Sequence, residues 1–196
     1  MDKEEVLLVA EKNNGYLHSK LMKEQDIPSV YISRLAKEKK LEKVYKGIYT
    51  MPDTPLDVYY IYSLKYPNII YSGESALFLN DLSSKQSVKM EITLPYGVNV
   101  PEIPDAKIIV TRKKTARLGV TVVETSFGNP VKAYGKERVV CDLFVRPEHY
   151  DAEDRIFAIK EYARHYLDVE NLYQYAKELG VYEEVKNVFE VISGGN

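Results

Sequence analysis

Residues 1–50 alternate short amphipathic segments with turn signals, and this spacing is what most limits the folds open to the chain. Helical periodicity, interrupted by turn residues, covers three segments: 2–12, 19–25 and 29–40. Two strand-like stretches then flank a turn that contains a glycine: 41–44 and 48–50, around Gly47. This order of elements is the layout of a winged helix-turn-helix: two helices, a tight turn, a third helix and a β-hairpin. The pattern therefore predicts such a domain over residues 1–51, with an ordinary small α+β module as the alternative.

The third helical segment combines an apolar face with a basic one. Ile32, Leu35 and Ala36 share one side of the helix at 100° per residue, which predicts that this side packs on the core. Segment 34–46 holds six basic residues against two acidic ones, and such a local excess favours a polyanionic partner such as DNA. The expected DNA contacts lie on the helix and hairpin: Tyr31, Ser33, Arg34, Lys37, Lys40, Lys43 and Lys46. The alternative is a charged face that is simply solvated.

These side chains differ in the contacts that their chemistry suits. Ser33 and Arg34 would reach base edges and supply specificity, and Tyr31 would contact a base or a phosphate. Lys37 and Lys40 would bind phosphates and supply affinity, whereas Lys43 and Lys46 on the hairpin would contact the backbone or the minor groove.

A chain of 196 residues with 45% hydrophobic and 29% charged residues suits one medium domain or a small domain joined to a larger one. Two prolines in segment 51–55 indicate a linker, so the second domain is expected over 52–196. Its predicted strands, forming a mixed or antiparallel sheet, lie within about 69–134: 69–71, 89–94, 107–111, 120–125 and 131–134. Its predicted helices, forming a C-terminal bundle, lie within about 136–192: 136–145, 152–166, 169–179 and 182–192. The expected fold class is therefore α+β.

A second basic cluster lies in this larger domain, in a predicted turn between two strands. Its members are Arg112, Lys113, Lys114 and Arg117. We expect either an auxiliary contact to flanking DNA or a solvated loop.

Catalytic motifs are absent from the sequence. The three histidines are far apart, and there is no glycine-rich phosphate loop, nucleophile elbow or HExxH motif. A single cysteine, Cys141, allows no internal disulfide, and no spacing resembles a zinc site. Glu91 and the pair Glu153-Asp154 suggest a metal-dependent nuclease as a less favoured alternative, but the stretch 90–93 lacks the lysine that such a site uses. We expect no enzyme activity, metal or cofactor.

The remaining composition bears on location and on packing. No apolar run approaches the ~20 residues of a membrane helix, so we expect a cytoplasmic protein without membrane association. The chain has 17 tyrosines and no tryptophan. Tyrosines crowd several helices, where they would line the rims of packing surfaces or, alternatively, form a protein-contact surface.

Three groups of short motifs, taken in order, resemble the AbiEi family of antitoxins from bacterial type IV toxin–antitoxin and abortive-infection systems. They are Ile32-Ser33-Arg34-Leu35 with 44–49, then Ile70-Tyr71-Ser72-Gly73-Glu74-Ser75-Ala76-Leu77, and finally residues 134–143. The resemblance implies an N-terminal domain that represses its own operon by binding inverted repeats ahead of it. It also implies a C-terminal domain that counteracts a nucleotidyltransferase-like toxin, in phage resistance, without a stable complex. A winged-helix regulator with a ligand-sensing second domain is the main alternative.

Overall fold

A computed structural model describes residues 2–194, which form an α+β protein with two separate sheets. The expected α+β class is therefore confirmed. The chain divides into two compact units. Unit 1 runs to Pro67 and includes Phe127–Asn129, while unit 2 comprises Asn68–Ser126 and the chain from Pro130 onward. Within residues 2–194, no helix is both long enough and apolar enough to cross a membrane.

Unit 1 combines short helices with a three-stranded antiparallel sheet of order β1-β3-β2. Its elements are α1 (Lys3–Glu11), β1 (Tyr16–His18), α2 (Ser19–Glu24), α3 (Ser29–Lys37), β2 (Glu42–Tyr45), β3 (Ile48–Thr50) and α4 (Val58–Lys65). The predicted hairpin is present as β2 and β3. Strand β1 is an addition, in which Tyr16 pairs with Thr50. Sequence reasoning missed β1 because three residues are too few to show the alternation typical of a strand.

Two apolar clusters hold unit 1 together. In the first, Ile32 and Leu35 of α3 pack with residues of α1, and Leu41 closes the cluster after the helix. In the second, Tyr16 and Ile48 of the sheet pack against Ile61 of α4. Helix α4 is therefore part of unit 1. The boundary falls after Pro67, and not between residues 51 and 52 where the prolines of the linker predict it.

Unit 2 contains a mixed five-stranded sheet of order β6-β5-β4-β8-β7. Strand β4 runs antiparallel to β5 and parallel to β8, β5 and β6 are parallel, and β7 and β8 are antiparallel. The strands are β4 (Ile70–Tyr71), β5 (Met90–Pro95), β6 (Ala106–Thr111), β7 (Val120–Glu124) and β8 (Pro130–Tyr134). The helices are α5 (Gly73–Leu79), α6 (Lys113–Arg117), α7 (Lys136–Val145), α8 (Ala152–His165), α9 (Val169–Leu179) and α10 (Tyr182–Gly194).

The core of unit 2 is centred on α7. Val139, Val140 and Leu143 are fully buried and join apolar residues from α5, α8, α9 and α10. Cys141 lies in the same cluster, and burial raises the pKa of its thiol to about 12. The thiol is therefore a packing group, held away from the solvent in its protonated form.

Candidate nucleic-acid interface

Helix α3 has one buried and one exposed side, although Ala36, which the apolar spacing places on the buried side, is exposed. Pro28 precedes it in an extended conformation, which suits a proline at the start of a helix. Ile32 and Leu35 are buried, whereas Ser33, Arg34 and Lys37 are exposed. Spacings of three and four residues put Ser33 and Arg34 on the same side as Lys37. Three of the predicted contacts therefore form one continuous polar surface.

The helix ends earlier than the sequence predicts. We expected α3 to reach about residue 40, but its last residue is Lys37, and Lys39 adopts a left-handed conformation with φ of 56°. This turn lets the N–H groups of Lys40 and Leu41 both bond to the carbonyl oxygen of Leu35. Burial of Leu41 against the core requires the turn. Lys40 consequently lies beyond the helix.

The β2–β3 hairpin is held at its turn by α2. The N–H and hydroxyl of Ser19 both donate to the carbonyl oxygen of Gly47, at 2.9 and 3.1 Å. Gly47 has φ of +79°, and a Cβ there would lie 2.3 Å from the Ser19 hydroxyl oxygen. A side chain at this turn would therefore strain the backbone and displace the Ser19 hydroxyl. Lys43 on β2 and Lys46 at the turn are both exposed.

The predicted cations differ in whether an acid already neutralises them. Among the described residues, neither Arg34, Lys37, Lys43 nor Lys46 forms an ion pair. The Lys40 ammonium lies 3.5 Å from a Glu4 carboxylate oxygen. Exposed pairs of this kind contribute little to stability, yet phosphate binding by Lys40 would compete with this contact.

An acid within the basic segment is also neutralised. The Lys3 ammonium lies 2.6 Å from Glu38, and this hydrogen bond lowers the pKa of the Glu38 carboxyl group. Tyr31, the remaining predicted contact, is half-buried and packs against the first apolar cluster of unit 1, so only part of its ring is free for a partner.

His18 has a structural role at the start of α2. Its Nδ1 accepts a hydrogen bond from the Leu21 N–H at 3.5 Å, a long contact of the N-cap type. Burial lowers the pKa of the imidazole. The neutral ring that accepts this bond is therefore favoured.

The second basic cluster has a conformation that the sequence did not indicate. The segment forms helix α6 instead of the predicted turn, with Arg112 at its N-cap. Arg112 and Arg117 are exposed, whereas the Lys114 ammonium lies 3.2 Å from Glu178. Lys113 begins the helix, and its side chain is outside the described part of the structure. The two exposed arginines remain candidates for an anionic contact.

Two of the acids considered for a nuclease, Glu91 and Asp154, have structural partners. Lys107 on β6 supplies a lysine next to Glu91, a pairing that only the parallel register of β5 and β6 creates. However, one Glu91 oxygen accepts from Lys107 and the other accepts the Glu74 N–H at 2.9 Å. Asp154 pairs with Lys85 at 2.7 Å. In the part of the chain that the structure describes, no group of three potential metal-ligating side chains occurs.

Comparisons with known proteins support the architecture alone. No protein-family model matches the sequence, and no curated protein matches it either. The crystal structure of the RV2827C protein from Mycobacterium tuberculosis is similar, with a TM-score of 0.54 and 14% sequence identity. The match covers 90% of this chain and 72% of that one. At this identity the likeness shows a shared fold and carries no functional statement.

Proposed function

We propose that the protein is a non-enzymatic, cytoplasmic DNA-binding regulator whose unit 1 acts as a winged helix. One observation carries the proposal: α3 exposes Ser33, Arg34 and Lys37 together, and neither cation forms an ion pair with any residue that the structure describes. A helix with this surface fits the major groove, which is about 12 Å wide. A hairpin bearing Lys43 and Lys46 is suited to contacts with the adjacent backbone.

The contacts divide by the chemistry of each side chain. Arg34 can donate two hydrogen bonds to a guanine edge, and a good bidentate contact discriminates by about 1–3 kcal/mol. Ser33 has one hydroxyl, which bonds to its own helix through the Ser29 carbonyl oxygen at 3.2 Å and keeps lone pairs free. Lys37, Lys43 and Lys46 would neutralise phosphates and release counterions.

The biological role that we propose is that of an antitoxin which represses its own operon. Its support is the ordered series of motifs resembling the AbiEi family. In this role unit 1 binds inverted repeats at the promoter, and unit 2 counteracts a nucleotidyltransferase-like toxin without a stable complex. Two copies on one face of the DNA would place the half-sites a whole number of ~10-bp turns apart.

The first test measures binding of the purified protein to DNA upstream of its own gene, at several salt concentrations and against unrelated DNA. Arg34→Ala should weaken specific binding by about 1–3 kcal/mol and relax specificity. Lys43→Ala and Lys46→Ala should weaken binding to all DNA and lower the salt slope by about one each. Lys40→Ala should weaken binding less. In the wild-type protein Lys40 gives up its contact with Glu4 when it binds a phosphate, so its net contribution to binding is smaller.

Lys160→Ala is the matched control, since it removes one exposed lysine from α8 of unit 2. An equal effect of this control would reduce the results for Lys43 and Lys46 to a nonspecific charge effect. Failure to bind the upstream DNA, or cutting of that DNA with Mg²⁺, would contradict the proposal.

The antitoxin role needs a separate assay. The protein should restore growth of cells that express a toxin encoded next to it, and Arg34→Ala should retain this protection because the substitution leaves unit 2 unchanged. DNA binding without any such protection would leave a regulator and refute the antitoxin role.

A further inference from the structure

A polar cleft of about 280 Å³ opens in unit 2. One wall comes from the start of α5 and strands β5 and β6, including Ser72 and Thr93. The segment that follows α7, including Arg146 and Tyr150, also lines the cleft. Drug-sized ligands occupy roughly 300–1,000 Å³, so a cleft of this size suits a small metabolite.

The floor of the cleft is rigid. The Arg138 side chain is only 6% exposed, and its Nη1 donates to the carbonyl oxygens of Thr115 and Leu118 at 2.8 and 2.6 Å. Its Nε donates to Asp142 at 3.1 Å, and its guanidinium lies 4.0 Å from the centre of the Tyr134 ring. This many fixed contacts hold the floor in one conformation before any ligand arrives.

Each acid that lines the cleft has a base of its own. Glu91 pairs with Lys107, and Asp142 pairs with Arg138. Glu178 pairs with Lys114. These pairs leave Arg146 as a lining cation that forms no ion pair with any residue the structure describes. Its guanidinium is therefore the lining group that can attract an anion, and its charge also acts on the nearby Asp142 carboxyl group.

Tyr150 supplies a second donor without a partner. Its hydroxyl forms no hydrogen bond to any described residue, although the ring packs against the core of unit 2. Burial, together with the charges of Asp142, Glu91 and Glu74, raises the pKa of this phenol. The hydroxyl therefore stays protonated at neutral pH and is available to donate.

We infer that the cleft binds a small anion, a carboxylate or phosphate group, through the Arg146 guanidinium and the Tyr150 hydroxyl. Both groups donate and neither accepts from the protein, so the complementary ligand is rich in acceptor oxygens. Ser72 and Thr93 add hydroxyl groups to the lining of the cleft, where the Thr93 hydroxyl donates to the Ser72 hydroxyl at 2.9 Å. This inference concerns unit 2 alone and does not rest on DNA binding.

The test titrates the full-length protein by calorimetry with two anions, inorganic phosphate and succinate, at constant ionic strength. Succinamide, the uncharged counterpart of succinate, is the ligand control. We expect saturable binding of at least one anion and none of succinamide. Arg146→Gln should weaken the binding at least tenfold, because a hydrogen bond to a charged group contributes about 1.5–3 kcal/mol. Tyr150→Phe, which keeps the ring, should weaken it several-fold.

Arg164→Gln is the matched variant, since it removes the same charge from an exposed position on α8. It should leave the affinity unchanged. Absence of binding by both anions in the low millimolar range would overturn the inference, as would equal loss of affinity in Arg146→Gln and Arg164→Gln. Failure of DNA binding would leave this result untouched, because no DNA enters the titration.

Discussion

At the scale of single residues, cationic side chains from one short segment have different surroundings. Arg34 and Lys40 belong to one basic stretch, yet Arg34 forms no ion pair with any described residue, while the Lys40 ammonium lies 3.5 Å from a Glu4 carboxylate oxygen. The partner lies 36 residues away in sequence, so no local pattern indicates the pairing. Lys40 must therefore leave Glu4 before it binds a phosphate. Lys37, Lys43 and Lys46 form no ion pair with any described residue and need no such step.

Gly73 is required for two separable reasons. Its φ is +52°, and a Cβ there would lie 1.6 Å from the Glu91 Oε2 atom. Gly180 has φ of +75° with nothing within 4 Å of its Cβ position. It therefore shares the backbone conformation without the steric conflict. Glycine is therefore required between Ser72 and Glu74, because the Glu91 carboxylate that accepts the Glu74 N–H occupies the place of a Cβ.

We predict that Gly73→Ala lowers the free energy of unfolding by about 2–4 kcal/mol, because both the conformation and the contact are violated. Gly180→Ala, in the same unit, should cost only about 1–2 kcal/mol from the left-handed conformation. Urea unfolding followed by far-UV circular dichroism measures both. Equal losses would show that Glu91 moves aside freely.

At the scale of elements, long helices were predicted well and short elements poorly. Helix α7 spans Lys136–Val145 and α9 spans Val169–Leu179, as their periodicity predicts. Strand β1 and helix α6 were missed, and α3 ends three residues early at Lys37. An element of three to five residues is too short to show a repeating hydrophobic pattern. Its conformation is fixed by the segments that it contacts in the folded chain, so the local sequence does not indicate it.

The cap of α2 makes the stability of unit 1 sensitive to pH. The folded pKa of His18 is below its unfolded value of 6.5. The unfolded chain therefore takes up a proton first as the pH falls. The stability contribution of neutral His18 is present above the unfolded pKa and is lost as the pH falls through 6.5 toward the folded pKa.

We predict that wild-type protein loses more thermal stability than His18→Asn between about pH 7.5 and about pH 5.5. Asparagine caps helices well and does not titrate in this range, so the other histidines cancel in the comparison. Differential scanning calorimetry at both pH values gives the difference. Parallel pH dependence in the two proteins would refute the role of His18.

At the scale of the whole molecule, the units do not follow a single cut in the chain. Residues 127–129 belong to unit 1, where the Asn129 amide donates to Asp57 at 2.8 Å. Asp57 also caps α4 by accepting the Tyr60 N–H at 3.1 Å. A stretch that lies between β7 and β8 in sequence thus supports the helix that completes unit 1.

The position of α4 predicts how fragments behave. Fragment 1–51 lacks Ile61 and Tyr60, which cover Tyr16, and it lacks the Pro55 carbonyl oxygen that accepts from the Tyr16 hydroxyl at 2.8 Å. We predict that fragment 1–67 melts cooperatively at a higher temperature than fragment 1–51. Circular dichroism melts of both fragments measure this, and coincident curves would place α4 outside the folding unit.

The sequence by itself determined the α+β class, the limits of the longer helices and the basic excess over 34–46, because periodicity and charge are properties of a short window. Only the tertiary structure decided that α4 covers the sheet of unit 1, that Lys107 neutralises Glu91, and that Arg146 forms no ion pair with any described residue. Each of these depends on which distant segments become neighbours. Side chains brought together by β-pairing or helix packing leave no signal within a single window, so a cleft built from them is visible only in the folded chain.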